Sequence, residues 1–388
     1  MITILDSIMG SGKTTWAINQ MVGKDNYIYI TPLLDEVDRI SKACNFVSPE
    51  RKSLDIGKLE NLKYLIENEK SIASTHKLFT MFDKECKTLI KDNGYTLVLD
   101  EVIDPVSLYL GKSDGDVVRL LDESIELQDD GFCKWKNEFY FGTDDREIKR
   151  LCENKSIYMY NKQLIWKYDP EIFDCFSEIY ILTYMFEASI MKYYFEMHNI
   201  AYEVKSIAQG KIVDYYVPDR SYLKPLIDIY DGKLMNNFEQ KTRSLSVTWY
   251  NNKDNREEIK QIKNNARTYM ERIACVKGDD VMWTCFKSDY NKLKVRGYSC
   301  FVECNCRATN DYGNKSVLVY TVNRFYNTVL YNYFIEKGIK VDQDKFALSE
   351  MIQWIWRSRI RNGQPIKIYI PSKRMRQLLI DWIDNKEI

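Results

Sequence analysis

The sequence predicts an α/β protein of two domains built on mainly parallel sheets. Three observations carry this. A Gly-rich loop sits between an apolar strand and a helix at Ser7–Thr15, strand and helix patterns then alternate, and the strand–turn–helix order restarts in the second half of the chain. With 388 residues there is length for two domains with cores of their own, and 45% hydrophobic content is ordinary for such domains.

The stretch Ser-Ile-Met-Gly-Ser-Gly-Lys-Thr-Thr runs from Ser7 to Thr15, after the apolar run Ile2–Leu5 and before Trp16-Ala17-Ile18. Backbone N–H groups of such a loop, together with the helix N-terminus, converge on an anion. Gly10 and Gly12 allow close approach, with Ser11 between them. Lys13 has the reach for β- and γ-phosphates, and the Thr14 hydroxyl has the chemistry to meet Mg²⁺, with Thr15 next in the helix. Ser7 stands where the strict G-x-x-x-x-G-K-[ST] pattern has its first Gly.

Further along, Tyr27–Ile30 reads as a strand ending at Thr31-Pro32, followed by a helical pattern over Leu33–Ala43. Ser71–His76 reads as the next strand, with Ser74, Thr75 and His76 as its polar tip. Thr96–Leu99 runs into Asp100-Glu101, a pair suited to holding Mg²⁺ through Asp100 and polarising the attacking water through Glu101. Residues 105–175 read as an irregular acidic insertion, with seven acids from Asp114 to Asp130 against Arg119 alone, and a hairpin is expected over Trp135–Phe141. A buried strand, Ile179–Thr183, and a helix, Ile190–His198, close the first sheet. The domain boundary is placed at 205/206.

The second half predicts strands at Ser246–Tyr250, Asp280–Phe286, Val317–Tyr320 and Ile366–Ile370, with helices over Asn255–Ile273 and Ala347–Arg361. On one helix Gln353, Arg357 and Arg361 would stand on a single face. Seven bases and no acids lie between Gln353 and Arg376. A row of guanidiniums suits stabilisation of charge on a γ-phosphate. Lys373, Arg374 and Arg376 read either as a basic track or as a solvated helix face.

Bases and acids balance at 56 each, so any polyanion site has to be local. Ten irregularly spaced cysteines without a charged-then-apolar leader point to free thiols in a reducing cytoplasm. The spacing of Cys300, Cys304 and Cys306, even with Cys285, is poor for zinc. No apolar run approaches a membrane span.

These motifs resemble those of superfamily 2 helicases and translocases, DEAD/DEAH-like, and among them the compact proteins carried by bacteriophages and mobile elements. Ser7–Thr14 is similar to motif I, Thr31-Pro32 to motif Ia, Asp100-Glu101 to motif II, Thr183 to motif III, Cys304–Asp311 to motif V and Gln353–Arg361 to motif VI. The resemblance implies two tandem RecA-like domains, 1–205 and 206–388, with ATP and Mg²⁺ in a cleft between them. It implies a nucleic-acid-stimulated ATP hydrolase in which Arg357 is the arginine finger and the second arginine role is shared between Arg361 and Arg359. The implied partner is single-stranded or forked DNA, or RNA, along a track of Thr31, Pro32, Ser74, Thr75, His76, Thr183, Thr309 and Asn310, with phage replication proteins as further partners. Two other functions fit the same motifs. One is an ATP-gated clamp that binds nucleic acid or protein without unwinding, and the other a terminase-type packaging ATPase.

Overall fold

The computed structural model describes residues 1–52, 57–136, 145–235, 243–305 and 311–387. Its chain divides into two compact units, Met1–Tyr216 with Asn327–Val341 and Val217–Tyr326 with Asp342–Ile388. The expected mixed α/β architecture with mainly parallel sheets is the one observed.

The first unit opens with β1 (Ile2–Asp6), α1 (Lys13–Met21), β2 (Tyr27–Thr31), α2 (Leu34–Cys44), α3 (Lys58–Glu67), β3 (Ile72–Thr75), the single turn α4 (His76–Phe79), α5 (Lys84–Asp92) and β4 (Thr96–Asp100). An inserted segment follows: β5 (Val106–Leu108), α6 (Asp114–Glu123), β6 (Ile125–Leu127), β7 (Cys133–Trp135), α7 (Arg146–Glu153), β8 (Ile157–Tyr160) and β9 (Gln163–Lys167). Then come β10 (Glu178–Thr183), α8 (Ile190–Met197), β11 (Glu203–Ala208) and β12 (Lys211–Asp214). The sheet has the order β12-β11-β1-β10-β4-β2-β3, with every neighbouring pair parallel except β11–β12. Helical crossovers cover such a sheet, and so its strands read as short, nearly continuous apolar runs. Leu5, Trp16, Tyr29, Val37, Val98 and Leu182 share one core on the α1–α2 side.

The register fixes the functional edge. Asp6 pairs with Thr183, Leu182 with Asp100, and Thr31 with Thr75, so the carboxyl ends of β1, β10, β4, β2 and β3 finish side by side. In open α/β sheets this is the edge at which ligands bind.

The inserted segment is more ordered than its composition implies. Val117, Leu120, Ile125, Cys133, Ile148 and Leu151 form an apolar cluster of their own. Among the acids, Asp145 is buried and pairs with Lys112 at 2.7 Å and Arg119 at 2.9 Å. The expected hairpin is shifted: β7 pairs back with β6, while residues 137–144 lie outside those described. The charge run concealed an alternating apolar pattern that folds locally.

The second unit contains β13 (Ile227–Ile229), α9 (Val247–Asn251), α10 (Arg256–Thr268), β14 (Val281–Thr284), α11 (Tyr290–Leu293) and β15 (Val317–Tyr320). After α12 (Thr328–Glu336) it resumes with α13 (Gln343–Ile355), β16 (Ile366–Tyr369) and α14 (Lys373–Ile383). Its sheet, β13-β16-β15-β14, is wholly parallel. The helix α12 belongs to the first unit, where Tyr333 sits edge-on to Tyr160 at 5.3 Å and Phe334 lies 5.9 Å from Tyr193.

Two elements differ from expectation. Residues 247–251 are helical rather than a strand, because the Ser246 hydroxyl accepts the Trp249 N–H and starts a helix that overrides the β-propensity of Val, Thr, Trp and Tyr. The helix expected over Ala347–Arg361 stops at Ile355. Ser358 is extended and its hydroxyl donates back to the Ile355 carbonyl at 2.7 Å, after which Arg359–Asn362 form a 3₁₀ turn ending at Gly363, φ +70°. Among the described residues no helix is long and apolar enough to cross a membrane.

His198, which closes α8, packs its ring 4.5 Å from Tyr194, and its buried Nε2 has no hydrogen-bond partner among the described residues. Burial, and then the charge of Lys167, lower its pKa to about 4, opposed by Asp169. The unfolded chain therefore binds a proton below about pH 6.5 that the folded chain refuses, and stability falls as pH falls from there to about 4. His198→Gln should lose less stability than the parent between pH 7 and pH 4.5, as read from urea midpoints at the two pH values.

Candidate functional site

In the first unit the carboxyl end of β1 is fastened from three sides. Asp6 is buried, and its carboxylate accepts the backbone N–H groups of Met185 at 2.9 Å and Phe186 at 2.8 Å. Its own carbonyl accepts the Ser206 hydroxyl at 3.0 Å. Ser7 donates its N–H to the Thr183 carbonyl at 3.1 Å, and its hydroxyl accepts the Ile207 N–H at 2.8 Å. The serine side chain thus ties the loop to β11, a bond that a glycine could not make. Burial raises the Asp6 pKa, and the two N–H donors work against that rise.

From this anchor the loop turns through Gly10, φ +84°, and Gly12, φ +89°, and α1 starts at Lys13. A side chain is strained at both glycines, and open space surrounds each. The Ser11 N–H is held by the Ile8 carbonyl at 3.2 Å, while the buried Ser11 hydroxyl has no hydrogen-bond partner among the described residues. Lys13 folds back so that its ammonium donates to the carbonyls of Ser7 and Ile8, the latter at 3.1 Å. Burial lowers its pKa to about 8, while the charges of Asp6, Asp100 and Glu101 hold it up. One cation therefore faces three carboxylates at the sheet edge. Thr14 and Thr15 follow on the first turn of α1, half-buried and exposed respectively.

Asp100 ends β4. Burial pushes its pKa up to about 7, the Tyr29 hydrogen bond lowers it, and the neighbouring Glu101 charge raises it. The Tyr29 hydroxyl donates to its Oδ2 at 2.5 Å. Glu101 adopts the left-handed conformation, φ +69°, with its N–H on the Leu182 carbonyl at 3.0 Å. A non-glycine residue held there costs about 1 kcal/mol or more and is tolerated where the side chain has a task.

These residues fit a Mg²⁺-nucleotide. A glycine cradle with room for phosphate oxygens, a Ser11 hydroxyl without a hydrogen-bond partner among the described residues, a lysine donating to two carbonyls and a buried carboxylate for the ion all meet at one edge. Thr14 and Asp100 are the residues that could hold the metal.

The residues of the first unit expected to meet nucleic acid lie along the same edge. Thr31, Ser74 and Thr183 are buried at strand ends, whereas Pro32, Thr75 and His76 are partly exposed. Thr309 and Asn310, with the rest of Cys306–Asn310, lie outside the described residues.

In the second unit the one-face row of Gln353, Arg357 and Arg361 does not form, since the helix carrying Gln353 ends before either arginine. The turn nevertheless leaves Arg357 close enough to Arg361 for its charge, after burial, to lower the Arg361 pKa. Gln353 donates to Ser349 at 3.4 Å, and Arg359 donates to the Pro365 carbonyl at 2.5 Å. Arg374 and Arg376 form neither a track nor a solvated face. Arg374 reaches the carbonyls of Arg324 and Gln343 at 2.7 and 2.9 Å and covers Phe325, and Arg376 is buried against the Ile370 carbonyl at 2.9 Å.

Sequence reasoning missed Asp6, Tyr29 and the ion pair of half-buried Arg324 with buried Glu350 at 2.9 Å. An acid at the end of the apolar run before the glycine loop was a usable signal for Asp6. Tyr29 and Arg324 sit among similar residues and gave none.

Compared with known proteins, the chain is 38% identical over 412 aligned residues to the SPbeta prophage-derived uncharacterized protein YonV of Bacillus subtilis (strain 168), covering 99% of both. The chain belongs to the YonV family. Residues 221–383 match the model of the YonV C-terminal Rossmann-like domain. Among solved structures, one described as XPD_APO aligns over 99% of this chain and 95% of its own at 12% identity, TM-score 0.52. Another, described as XPD_Helicase, covers 100% and 95% at 13% identity, TM-score 0.48. At such identity the likeness of this YonV-family chain to the former is one of fold.

Replacing Asp6 by Asn puts an NH₂ where one backbone N–H now donates. Asp6→Asn should lower stability by about 1–3 kcal/mol in urea denaturation, because a buried donor is left unpaired.

Proposed function

We propose that this YonV-family chain is a nucleic-acid-dependent NTPase of the superfamily 2 helicase or translocase type, acting in replication or recombination of phage or mobile-element DNA. The observation that carries the reading is the meeting of Lys13 with Asp6, Asp100 and Glu101 beside a glycine loop at the carboxyl edge of a parallel sheet. Magnesium-bound ATP would supply the γ-phosphoryl group and a cation that offsets its charge.

The chain's own residues then divide the work. Gly10–Thr15 present backbone N–H groups and the α1 dipole to the phosphates. Lys13 leaves the Ser7 and Ile8 carbonyls for the phosphate oxygens. Thr14 and Asp100 would hold the ion, and Glu101 would orient the attacking water from its left-handed position. Gln353, Arg357 and Arg361 are assigned the charge that develops on the phosphoryl group, with Arg357 as the finger. Thr31, Pro32, Ser74, Thr75, His76, Thr183, Thr309 and Asn310 are assigned to the sugar–phosphate strand, single-stranded or forked DNA before RNA.

ATP turnover should rise several-fold with single-stranded DNA or RNA, and Lys13→Ala should lower it by about 10²-fold or more, the scale of losing one charge-stabilising donor. Phosphate release across single-stranded DNA, duplex DNA and RNA measures both. Tight nucleotide binding with negligible turnover on every polymer would instead favour the ATP-gated clamp.

A further inference from the structure

The Tyr29–Asp100 contact lies outside the roles given above. Tyr29 pairs with Val98 across β2 and β4, so its side chain shares a face with Asp100, the diagonal neighbour two residues on. A tyrosine reaches that far, and its hydroxyl donates to Asp100 Oδ2 at 2.5 Å, the short length typical of a charge-assisted O–H···O⁻ bond. The ring is fully buried and packs in the core with Leu5, Val37 and Val98. The hydroxyl is therefore aimed by a rigid body rather than by a flexible chain. Glu36 and Arg39, ion-paired on α2, face the same phenol and help to fix its surroundings.

A carboxylate that holds a metal needs one oxygen directed at the ion and the other kept from rotating into its place. Tyr29 engages Oδ2 and leaves Oδ1 for the ion. An apolar residue at position 29 would leave a buried oxygen without its donor and free the carboxylate to turn.

We propose that the Tyr29 hydroxyl is a positioning group that orients Asp100 toward Mg²⁺, and so sets how strongly magnesium supports nucleotide binding. The inference rests on the NTPase reading of the same site.

The test uses the full chain and a fluorescent, non-hydrolysable ATP analogue titrated with and without Mg²⁺. Tyr29→Phe keeps the ring and removes the donor. It should leave metal-free affinity within about twofold of the parent and raise the Mg²⁺ concentration for half-maximal gain by about 10-fold, the lower end for lost support of a metal ligand. In an Asp100→Asn background the same change should shift nothing further, since the two act as one unit. A magnesium titration identical to the parent's, or an equal loss of metal-free affinity, would overturn the inference. As a second measurement that keeps the hydroxyl, 3-fluorotyrosine at position 29 should shift its ¹⁹F resonance when Mg²⁺ is added to the nucleotide complex, and not in Asp100→Asn. An unmoved resonance in the parent sequence would also overturn it. If the parent shows no Mg²⁺-dependent nucleotide binding at all, the NTPase reading falls with it. Normal parent behaviour with an unaltered Tyr29→Phe variant removes only the role of Tyr29.

Discussion

The buried carboxylate of Asp6 is the interaction on which the geometry of the candidate site depends. It takes the N–H groups of Met185 and Phe186 in the turn after β10, while the adjacent Ser7 is bonded to both β10 and β11. Three strands are thereby fixed at the point where the glycine loop departs. Gly10 and Gly12 can then hold their left-handed conformations against a stationary base. Satisfying a buried charge with two backbone donors is the condition under which it can stay in a core at all. The same carboxylate contributes to the field at Lys13, so the anchor of the loop also tunes the group that would meet phosphate.

Local signals were legible where one short stretch determines the outcome. The run from Ile2 to Thr15 gives strand, loop and helix by apolar run and glycine spacing, and Thr96–Glu101 gives a strand ending in acids. Both were read correctly because a parallel strand buried on two faces leaves a plain apolar signature. Side-chain hydrogen bonds to nearby backbone were harder to see. Ser246 starts a helix in a segment of strand-forming residues, and Ser358 ends one in a segment of helical spacing. Each is a single hydroxyl competing with a propensity summed over several residues, and no count of propensities reveals which prevails. Tyr29 was hidden for another reason, since its partner lies 71 positions away and only the strand register brings the two together.

The arginines near the end of the chain show how two charges can stay in reach of one another on a changed scaffold. A continuous helix would space Arg357 and Arg361 by one turn, whereas here a break and a 3₁₀ turn bring them within electrostatic reach. The neighbouring bases are absorbed by the fold: Arg359, Arg374 and Arg376 each donate to backbone carbonyls. Composition alone therefore overstates the charge that this basic stretch offers a polyanion.

The path of the chain between its two units has a consequence for how the protein can be handled and how its gene can be cut. The polypeptide passes from one unit to the other after Tyr216, returns at Asn327 and leaves again after Val341. The returning piece is α12, whose Tyr333 and Phe334 are built into the aromatic packing of the first unit. No single stop codon or protease site can release either unit intact. A fragment ending at Tyr216 would expose the apolar bed of α12 and be prone to aggregate, while the complementary fragment would carry that helix as an orphan. Joining such a gene to another at any one point leaves at least one unit incomplete.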